Sequence, residues 1–343
     1  MERKLFGGPM SEGDARAYWV RAPGLGELRD VRLPPANPDE VLVRTLFSGI
    51  SRGTEMLVFR GGVPADQHQA MRAPFQDGDF PGPVKYGYLN VGEVEEGPAH
   101  LVGRTVFCLY PHQTRYVVPA DAVVVVPDDV PPARAALTGA VETAVNVLWD
   151  APPLIGDRVT VVGAGMIGCC VARLLAKFPE VSVTLVDVDT SRAEVAAALG
   201  VEFAQAGDAP RDQDRVIHAT ATAEGLWLAL QLLATEGEVI EVSWYGDTDV
   251  QVPLGGAFHS RRLAIRSSQV GLVAPVRRTS RTNTERRKLA LELLRDPAFD
   301  ALLSSRSPFD QLPETMAKLG SLPGLCHVIT YEGSESSVQC DGA

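Results

Sequence analysis

The chain has 343 residues and a formal charge of −11, with 32 Lys and Arg against 43 Asp and Glu. This length is too great for one ordinary hydrophobic core and predicts two domains. The acidic balance disfavours nonspecific binding to nucleic acid or to an anionic membrane surface. Because the sequence shows neither a membrane-length apolar stretch nor an apolar N-terminal signal region, we expect a cytoplasmic protein with no membrane or nucleic-acid partner.

The first 140 residues are predicted to be rich in β-strands. Alternating apolar residues bounded by turn-forming residues predict strands over 15–20, 39–47, 101–110, 115–118 and 122–127. Between the second and third of these, residues 61–83 form an excursion rich in Pro and Gly, long enough to be a functional loop.

From about Pro132 the apolar spacing changes to that of helices. Residues 133–149 predict one amphipathic helix or a broken pair. Strands are then predicted over 158–162, 182–187, 215–219, 238–244 and 263–268, helices over 165–177, 192–199, 225–233 and 284–294, and a mixed segment from there to 331. Strands that alternate with helices predict βαβ units, a parallel sheet and an α/β fold class. The final residues, 332–343, are predicted to fray.

The five cysteines are Cys108, Cys169, Cys170, Cys326 and Cys340. No two of them form a C-x-x-C pair, and the scatter favours reduced thiols over a disulfide framework or a structural zinc site.

The segment RVTVVGAGMIGCCVARLLA contains the clearest motif in the chain. Gly163, Gly165 and Gly168 have G-x-G-x-x-G spacing directly after an apolar strand, with Met166 and Ile167 opening the following helix. Such glycines allow the tight turn, the approach of a pyrophosphate and the close packing of helix on strand. The sequence therefore predicts a dinucleotide site at the N-terminus of this helix.

The identity of the bound dinucleotide depends on residues at the end of the next strand and just after it. Asp187 ends that strand, 19 residues after Gly168. A carboxylate there accepts hydrogen bonds from the adenosine ribose and repels a 2′-phosphate, which favours NAD(H) over NADP(H). Arg192 is a second candidate for the cofactor site, and it could instead bind the phosphate, although Asp189 nearby opposes this.

Several segments together resemble the medium-chain dehydrogenase/reductase superfamily across nearly the whole chain. They are SGISRGTE, GYLNVGEVEEG, GRTVFCLYPHQTRYVVP, VETAVNVLWD, GAGMIG and VDVD. SGISRGTE is similar to the 3-hydroxyethyl bacteriochlorophyllide dehydrogenase branch. The resemblance implies a β-rich, GroES-like catalytic domain (1–147), a doubly wound Rossmann domain (148–270) and a C-terminal segment (271–343) that returns to the first. It also implies an active site in the cleft between them.

The chain departs from the zinc-dependent members of the superfamily at their metal ligands. The resemblance aligns Ser51 with a ligating Cys and aligns Tyr88 and Leu89 with a His–Glu pair. A third ligand falls within 139–142, where Glu142 is the one credible donor. Ser, Tyr and Leu are poor replacements for thiolate and imidazole, so we expect no catalytic zinc.

Without zinc, protein groups must polarise the substrate oxygen and move its proton. Four candidates follow from the resemblance: Tyr88 as proton donor, Ser51 as a partner of the same oxygen, Glu142 as a buried base, and His112 as a proton-transfer group. Each also has a structural interpretation. Tyr88 could be a core residue, Ser51 a helix cap, Glu142 an ion-pair partner of Arg52 or Arg134, and His112 a buried hydrogen-bonding group.

The sequence thus favours an NAD(H)-dependent enzyme that interconverts a small secondary alcohol and a carbonyl. Two alternatives stay open: a zinc-free reductase of activated C=C bonds, which Asp187 opposes because such enzymes usually use NADPH, and a nucleotide-binding protein without catalysis. The apolar strand at 263–268 further predicts a homodimer, in which this edge pairs with its copy.

Overall fold

The computed structural model describes residues 14–320 and 324–334 of the chain. The predictions made for the N-terminal sequence, for Cys340 and for nearly all of the fraying segment therefore lie outside the described residues. Within those residues, no helix combines the length and apolar character needed to cross a membrane.

Short strands form most of the N-terminal part, as predicted. They are β1 (Asp14–Ala22), β2 (Leu25–Arg32), β3 (Glu40–Ile50), β4 (Asp77–Gly78), β5 (Val84–Lys85), β6 (Asn90–Glu96), β7 (Thr105–Cys108), β8 (Arg115–Pro119) and β9 (Val123–Val125), with helix α1 (Thr54–Arg60) after β3. Four of these strands were not predicted: β2, β4, β5 and β6. β2 is largely exposed and charged, so it lacks the alternation that identifies a strand.

Helices and strands then alternate. The order is α2 (Pro132–Ala135), α3 (Thr138–Asp150), β10 (Arg158–Val162), α4 (Met166–Leu175), β11 (Ser182–Val186), α5 (Arg192–Leu199), β12 (Glu202–Ala204), β13 (Gln213–His218), α6 (Ala223–Leu232), β14 (Leu233–Glu241), β15 (Ala264–Ser267), α7 (Asn283–Leu293), β16 (Leu303–Pro308), α8 (Leu312–Leu319) and β17 (Cys326–Thr330). The helical region before β10 is the predicted broken pair, since α2 and α3 are separate helices.

The strands from β10 to β15 build one parallel sheet in the order β12-β11-β10-β13-β14-β15. Its order reverses between β10 and β13, which is the doubly wound arrangement whose ligands bind at the carboxyl ends of the strands. Strand β15 forms one edge of this sheet, as predicted for the segment at 263–268.

The last strands join the sheet of the N-terminal part. β17 pairs antiparallel with β3, so that His327 lies opposite Ile50, and β16 pairs with β17. A continuous cluster of buried apolar side chains then connects this sheet to the parallel sheet through α3, with Leu89, Leu137 and Cys169 among its members. This shared core fixes the two sheets around a cleft.

Candidate active-site cleft

A cleft of about 720 Å³ opens between the two parts of the chain. One wall is formed by the first turns of α1 and α3, by residues 86–88 and by part of the excursion at 61–83. The opposite wall is formed by the glycine turn before α4 and by the residues that follow β13, β14 and β15. Ser51, Tyr88 and Glu142 line this cleft, together with Gly165, Met166, Ile167 and Arg192.

The glycine turn has the geometry that its sequence predicts. Gly163 has φ +110°, and a Cβ on it would lie 2.9 Å from the backbone of Ala219. A Cβ on Gly168 would overlap the carbonyl oxygen of Gly163, whereas Gly165 has open space where a Cβ would project. Chain packing therefore requires the first and third glycines, and the second leaves the cleft wall clear.

The helix after this turn points its N-terminus at the cleft. Met166 and Ile167 in its first turn line the cavity, and the first intrahelical bond runs from Cys169 N to the Gly165 carbonyl oxygen at 2.9 Å. The backbone N–H groups ahead of Cys169 have no acceptor within the helix, and they coincide with the positive end of its dipole. This end of the cleft is suited to a phosphate.

Asp187 lies behind the glycine turn, outside the cleft lining. One of its carboxylate oxygens accepts a hydrogen bond from Ala164 N at 2.7 Å, and the other accepts one from Asp189 N at 2.9 Å. The side chain thus fixes the turn at the end of β11. Each oxygen keeps a further lone pair that a ribose hydroxyl could use.

Two arginines meet beside the carbonyl of Gly324, between β17 and the cleft. Arg192 donates to that carbonyl at 3.3 Å and pairs with Asp189 at 3.3 Å. Arg52 donates to the Leu319 carbonyl at 2.8 Å, and burial and then Arg192 lower its pKa. Arg52 was not predicted as a site residue, although it lies within SGISRGTE; only its proximity to Arg192 reveals it.

A second network that the sequence analysis missed supports the wall at the ends of β13 and β14. Buried His218 bonds Glu241 through Nδ1 at 2.7 Å and Thr220 through Nε2 at 2.6 Å. Tyr245 adds a bond to Glu241 at 3.0 Å. Thr220 faces the cleft, while Ala221 after it has φ +54°. The network therefore holds a strained turn in the cleft wall.

Tyr88 stands on the opposite wall with two hydroxyl neighbours. Ser51 and Thr54 hydrogen-bond its phenol, and both also line the cleft. Burial raises the pKa of Tyr88 to about 12; the Glu55 carboxylate acts in the same direction, and the two hydroxyls oppose it. Tyr88 is therefore protonated near neutral pH and available as a hydrogen-bond donor.

His112 is buried behind this wall and does not line the cleft. Its Nε2 bonds Glu55 at 2.8 Å and its Nδ1 bonds Ser48 at 2.7 Å, and Ser48 in turn bonds Tyr331 at 2.9 Å. Both ring nitrogens are thus engaged by protein groups, as in the structural interpretation of this residue.

Glu55 connects that buried network to the cleft wall. Its second carboxylate oxygen accepts a hydrogen bond from Ser51 N at 2.8 Å. The alternative interpretation of Ser51 as a side-chain cap is wrong, because helix α1 has no side-chain cap bond. Ser51 is instead fixed through its backbone, which leaves its hydroxyl to Tyr88.

Glu142 lies in the first turns of α3, 3% exposed, against two arginines of α7. One of its oxygens is 3.2 Å from Arg286, and the other is 3.3 Å from Arg287. The ion-pair partners suggested from sequence were wrong: Arg134 binds Asp300 at 2.6 Å. With both oxygens engaged, this carboxylate fits the attachment of α7 better than proton transfer.

The residues that the resemblance aligned with zinc ligands do not fit a zinc ion. Leu89 is buried, and it packs so closely on Gly139 that a Cβ on this glycine would lie 2.5 Å from the Leu89 side chain. Tyr88 and Ser51 supply only hydroxyl oxygens there, and zinc prefers thiolate and imidazole. Within the described residues, no group of three or more His, Cys, Asp or Glu is placed to hold a metal.

No family model matches this chain, and no curated protein matches it. Solved structures do match. A putative zinc-binding dehydrogenase from Sinorhizobium meliloti, bound to NADP, has a TM-score of 0.74 at 17% identity, covering 93% of this chain and 100% of its own. An alcohol dehydrogenase from Escherichia coli, complexed with NADH, has 0.74 at 17%, covering 93% and 99%. 2R,3R-butanediol dehydrogenase from Bacillus subtilis has 0.73 at 16%, covering 92% and 99%.

At this level of identity the likeness establishes the fold. The chain shares its fold with these dehydrogenases: a GroES-like, β-rich part is joined to a Rossmann sheet, as the resemblance of its sequence segments implied.

Proposed function

We propose that this protein is a zinc-independent, NAD(H)-dependent oxidoreductase that interconverts a secondary alcohol and a carbonyl in the cleft. The main support for the proposal is that the two walls of the cleft differ in their chemistry. One presents a dinucleotide turn, and the other presents the hydroxyl cluster of Tyr88, Ser51 and Thr54. A reduced or oxidised nicotinamide, when bound, donates or accepts the hydride.

The nucleotide end fits a dinucleotide through three features. The N-terminus of α4 supplies free backbone N–H groups, and Gly165 leaves room for a pyrophosphate to approach them. Arg52 and Arg192 add positive charge beside Gly324. The carboxyl ends of β13, β14 and β15 complete the wall, which is where doubly wound sheets bind their ligands.

The choice of NAD(H) rests on charge. Asp187 closes β11 with a carboxylate, which disfavours a 2′-phosphate by like charge. Arg192, the residue that could reverse this preference, is engaged by Asp189 and the Gly324 carbonyl. Its positive charge is thus partly neutralised on the side that faces Asp189.

On the opposite wall, Tyr88 acts as the acid. When hydride adds to the carbonyl carbon, the π electrons of the C=O bond move to the oxygen and make it an alkoxide. This alkoxide is a stronger base than a phenolate, so the proton of Tyr88 moves to it. Ser51 and Thr54 hold the phenol oxygen and stabilise the charge left on it. Because Tyr88 is protonated near neutral pH, reduction needs no prior ionisation, while oxidation requires the phenolate.

The experiment that tests this function is steady-state oxidation of NADH with a set of methyl ketones, in buffer that contains a metal chelator. We expect turnover that the chelator does not diminish, and less than about 0.1 zinc per chain by elemental analysis. Activity that depends on stoichiometric zinc would contradict the zinc-free mechanism.

The same assay separates the two alternatives kept from the sequence. A reductase of C=C bonds would consume NADPH with an enone and leave saturated ketones unreduced. A protein that binds nucleotide without catalysis would bind NADH and show no turnover with any compound of the set.

A further inference from the structure

The charge of the cleft differs sharply from that of the chain. The whole protein carries a charge of −11, whereas the charged side chains that line the cleft, among the residues that the structure describes, are five arginines and the carboxylate of Glu142. Such a concentration of one sign in a concave site attracts anions and raises their local concentration. A dinucleotide accounts for part of it, since Arg52 and Arg192 lie at its phosphate end.

Of the other three arginines, Arg72 pairs with Asp79, whereas Arg286 and Arg287 lie together at the other end of the cleft. Arg286 and Arg287 reach the cleft from α7 and meet Glu142 on α3. Glu142 follows Gly139 by three residues, or roughly 4.5 Å along the helix axis. A Cβ on Gly139 would lie 4.0 Å from the ring of Tyr88. The arginine pair is therefore close to the proposed acid and belongs to the substrate end.

Of the two, Arg286 is already engaged. It is 1% exposed and binds Glu142, Asn146 and the carbonyl oxygens of Val270 and Leu272. This set of contacts attaches α7 and the loop before it to α3, so Arg286 has a structural role.

Arg287 is different because its terminal nitrogens remain available. Its side chain is 12% exposed, and its Nε contacts Glu142 at 3.3 Å. In the part of the chain that the structure describes, no hydrogen bond reaches Nη1 or Nη2 of this residue. Glu142 contacts this guanidinium through Nε, so the two terminal nitrogens of a largely buried side chain keep N–H donors that an anion in the cleft can use.

We infer that the substrate carries a carboxylate and that Arg287 binds it through its terminal nitrogens. This inference rests on the proposed function and names the class of substrate for the same cleft. The planar fork of a guanidinium matches a carboxylate in a bidentate contact.

The approach to this end of the cleft supports the assignment. Residues 277–288 have the sequence RRTSRTNTERRK, a basic run within an acidic chain. Arg277, Arg278 and Arg281 in this run are exposed, and they directly precede Asn283, which lines the cleft with Arg287. Their charge would steer an anion toward Arg287.

The test is a binding measurement that needs no turnover. Calorimetric titration compares 4-oxopentanoate with its methyl ester on the wild-type protein, on R287Q and on R295Q. Arg295 is a matched control because it is exposed at the end of the same helix and pairs with Asp129 and Glu292 instead of Glu142. R287Q removes the charge and keeps the contact between Glu142 and Arg286, and thermal unfolding confirms that the variant is folded.

We expect the acid to bind the wild type and R295Q about 10- to 100-fold more tightly than the ester, the usual scale of a hydrogen-bonded charge pair. R287Q should lose this difference, and R287K, which keeps the charge but not the fork, should keep part of it. Acid that binds no more tightly than ester, or an unchanged preference in R287Q, would overturn the inference. Because no hydride transfer is measured, this outcome is distinguishable from a failure of the proposed function.

Discussion

Replacement of Tyr88 by Phe removes the phenolic oxygen and tests the proposal that Tyr88 donates the proton in ketone reduction. The structure sets the magnitude. Because burial raises the pKa of Tyr88 to about 12, the phenol is protonated at pH 7 and the side chain can donate a hydrogen bond. Loss of one positioned proton donor usually lowers kcat by about 10²–10⁴-fold. We expect Y88F to fall in this range for ketone reduction, with little change in the affinity for NADH.

The pH dependence follows from the same pKa and has opposite signs in the two directions. Reduction uses the protonated phenol, so its rate should stay flat between pH 7 and pH 10. Oxidation uses the phenolate, whose fraction rises about tenfold per pH unit below the pKa, so its kcat/KM should rise with pH over the same interval. Y88F should lose this rise.

The assay is steady-state kinetics in both directions, with Y110F as the control. Tyr110 is a buried tyrosine that stacks on Tyr116 and does not line the cleft. A kcat for Y88F within about twofold of wild type, or a reduction rate that falls between pH 7 and pH 10, would refute the assignment of Tyr88 as the acid.

Three other outcomes are expected. In calorimetric titration, D187S should shift the ratio of the affinities for NADH and NADPH toward NADPH by about tenfold or more. If the unmodified protein binds NADPH as tightly as NADH or more tightly, the cofactor assignment is wrong. H112A should lower the free energy of unfolding measured in urea by about 2–3 kcal/mol, because Glu55 loses a buried partner. H259A, at an exposed position, should leave the free energy of unfolding unchanged. A loss of kcat in H112A without a loss of stability would instead assign the role of acid to His112. The molar mass measured by light scattering should be about twice the 36.8 kDa of one chain, because the edge strand β15 can pair with its copy in a dimer. The mass of a monomer at micromolar protein concentration would exclude this dimer.

The dinucleotide turn could be predicted because its determinants are local. A strand, three glycines and a helix follow one another within a few residues, and each glycine has a steric requirement that the sequence alone implies. Gly163 and Gly168 meet that requirement in the structure. The strands β10, β11, β13 and β15 were likewise predicted within a few residues, because each is a compact apolar run.

Features that depend on distant pairing could not be predicted. β17 is a strand because it pairs with β3, so that His327 meets Ile50 across most of the chain. The partners of Glu142 lie 144 and 145 residues away on α7, and nothing in the sequence near Glu142 indicates them. For the same reason the sequence left two roles open for His112, proton transfer and structural hydrogen bonding, because its partners Glu55 and Ser48 are distant in the chain.

The most direct test of the proposed function follows a labelled hydrogen. NADH is labelled with deuterium at C4 of its nicotinamide, on the face from which the hydride is transferred. The protein is incubated with this NADH and the best ketone of the set in the presence of chelator, and the product is analysed by mass spectrometry. The account predicts one deuterium at the carbinol carbon of the alcohol, and none when NADH is labelled on the other face. An alcohol without deuterium from either label, or label that appears only when zinc is restored, would contradict zinc-independent hydride transfer in this cleft.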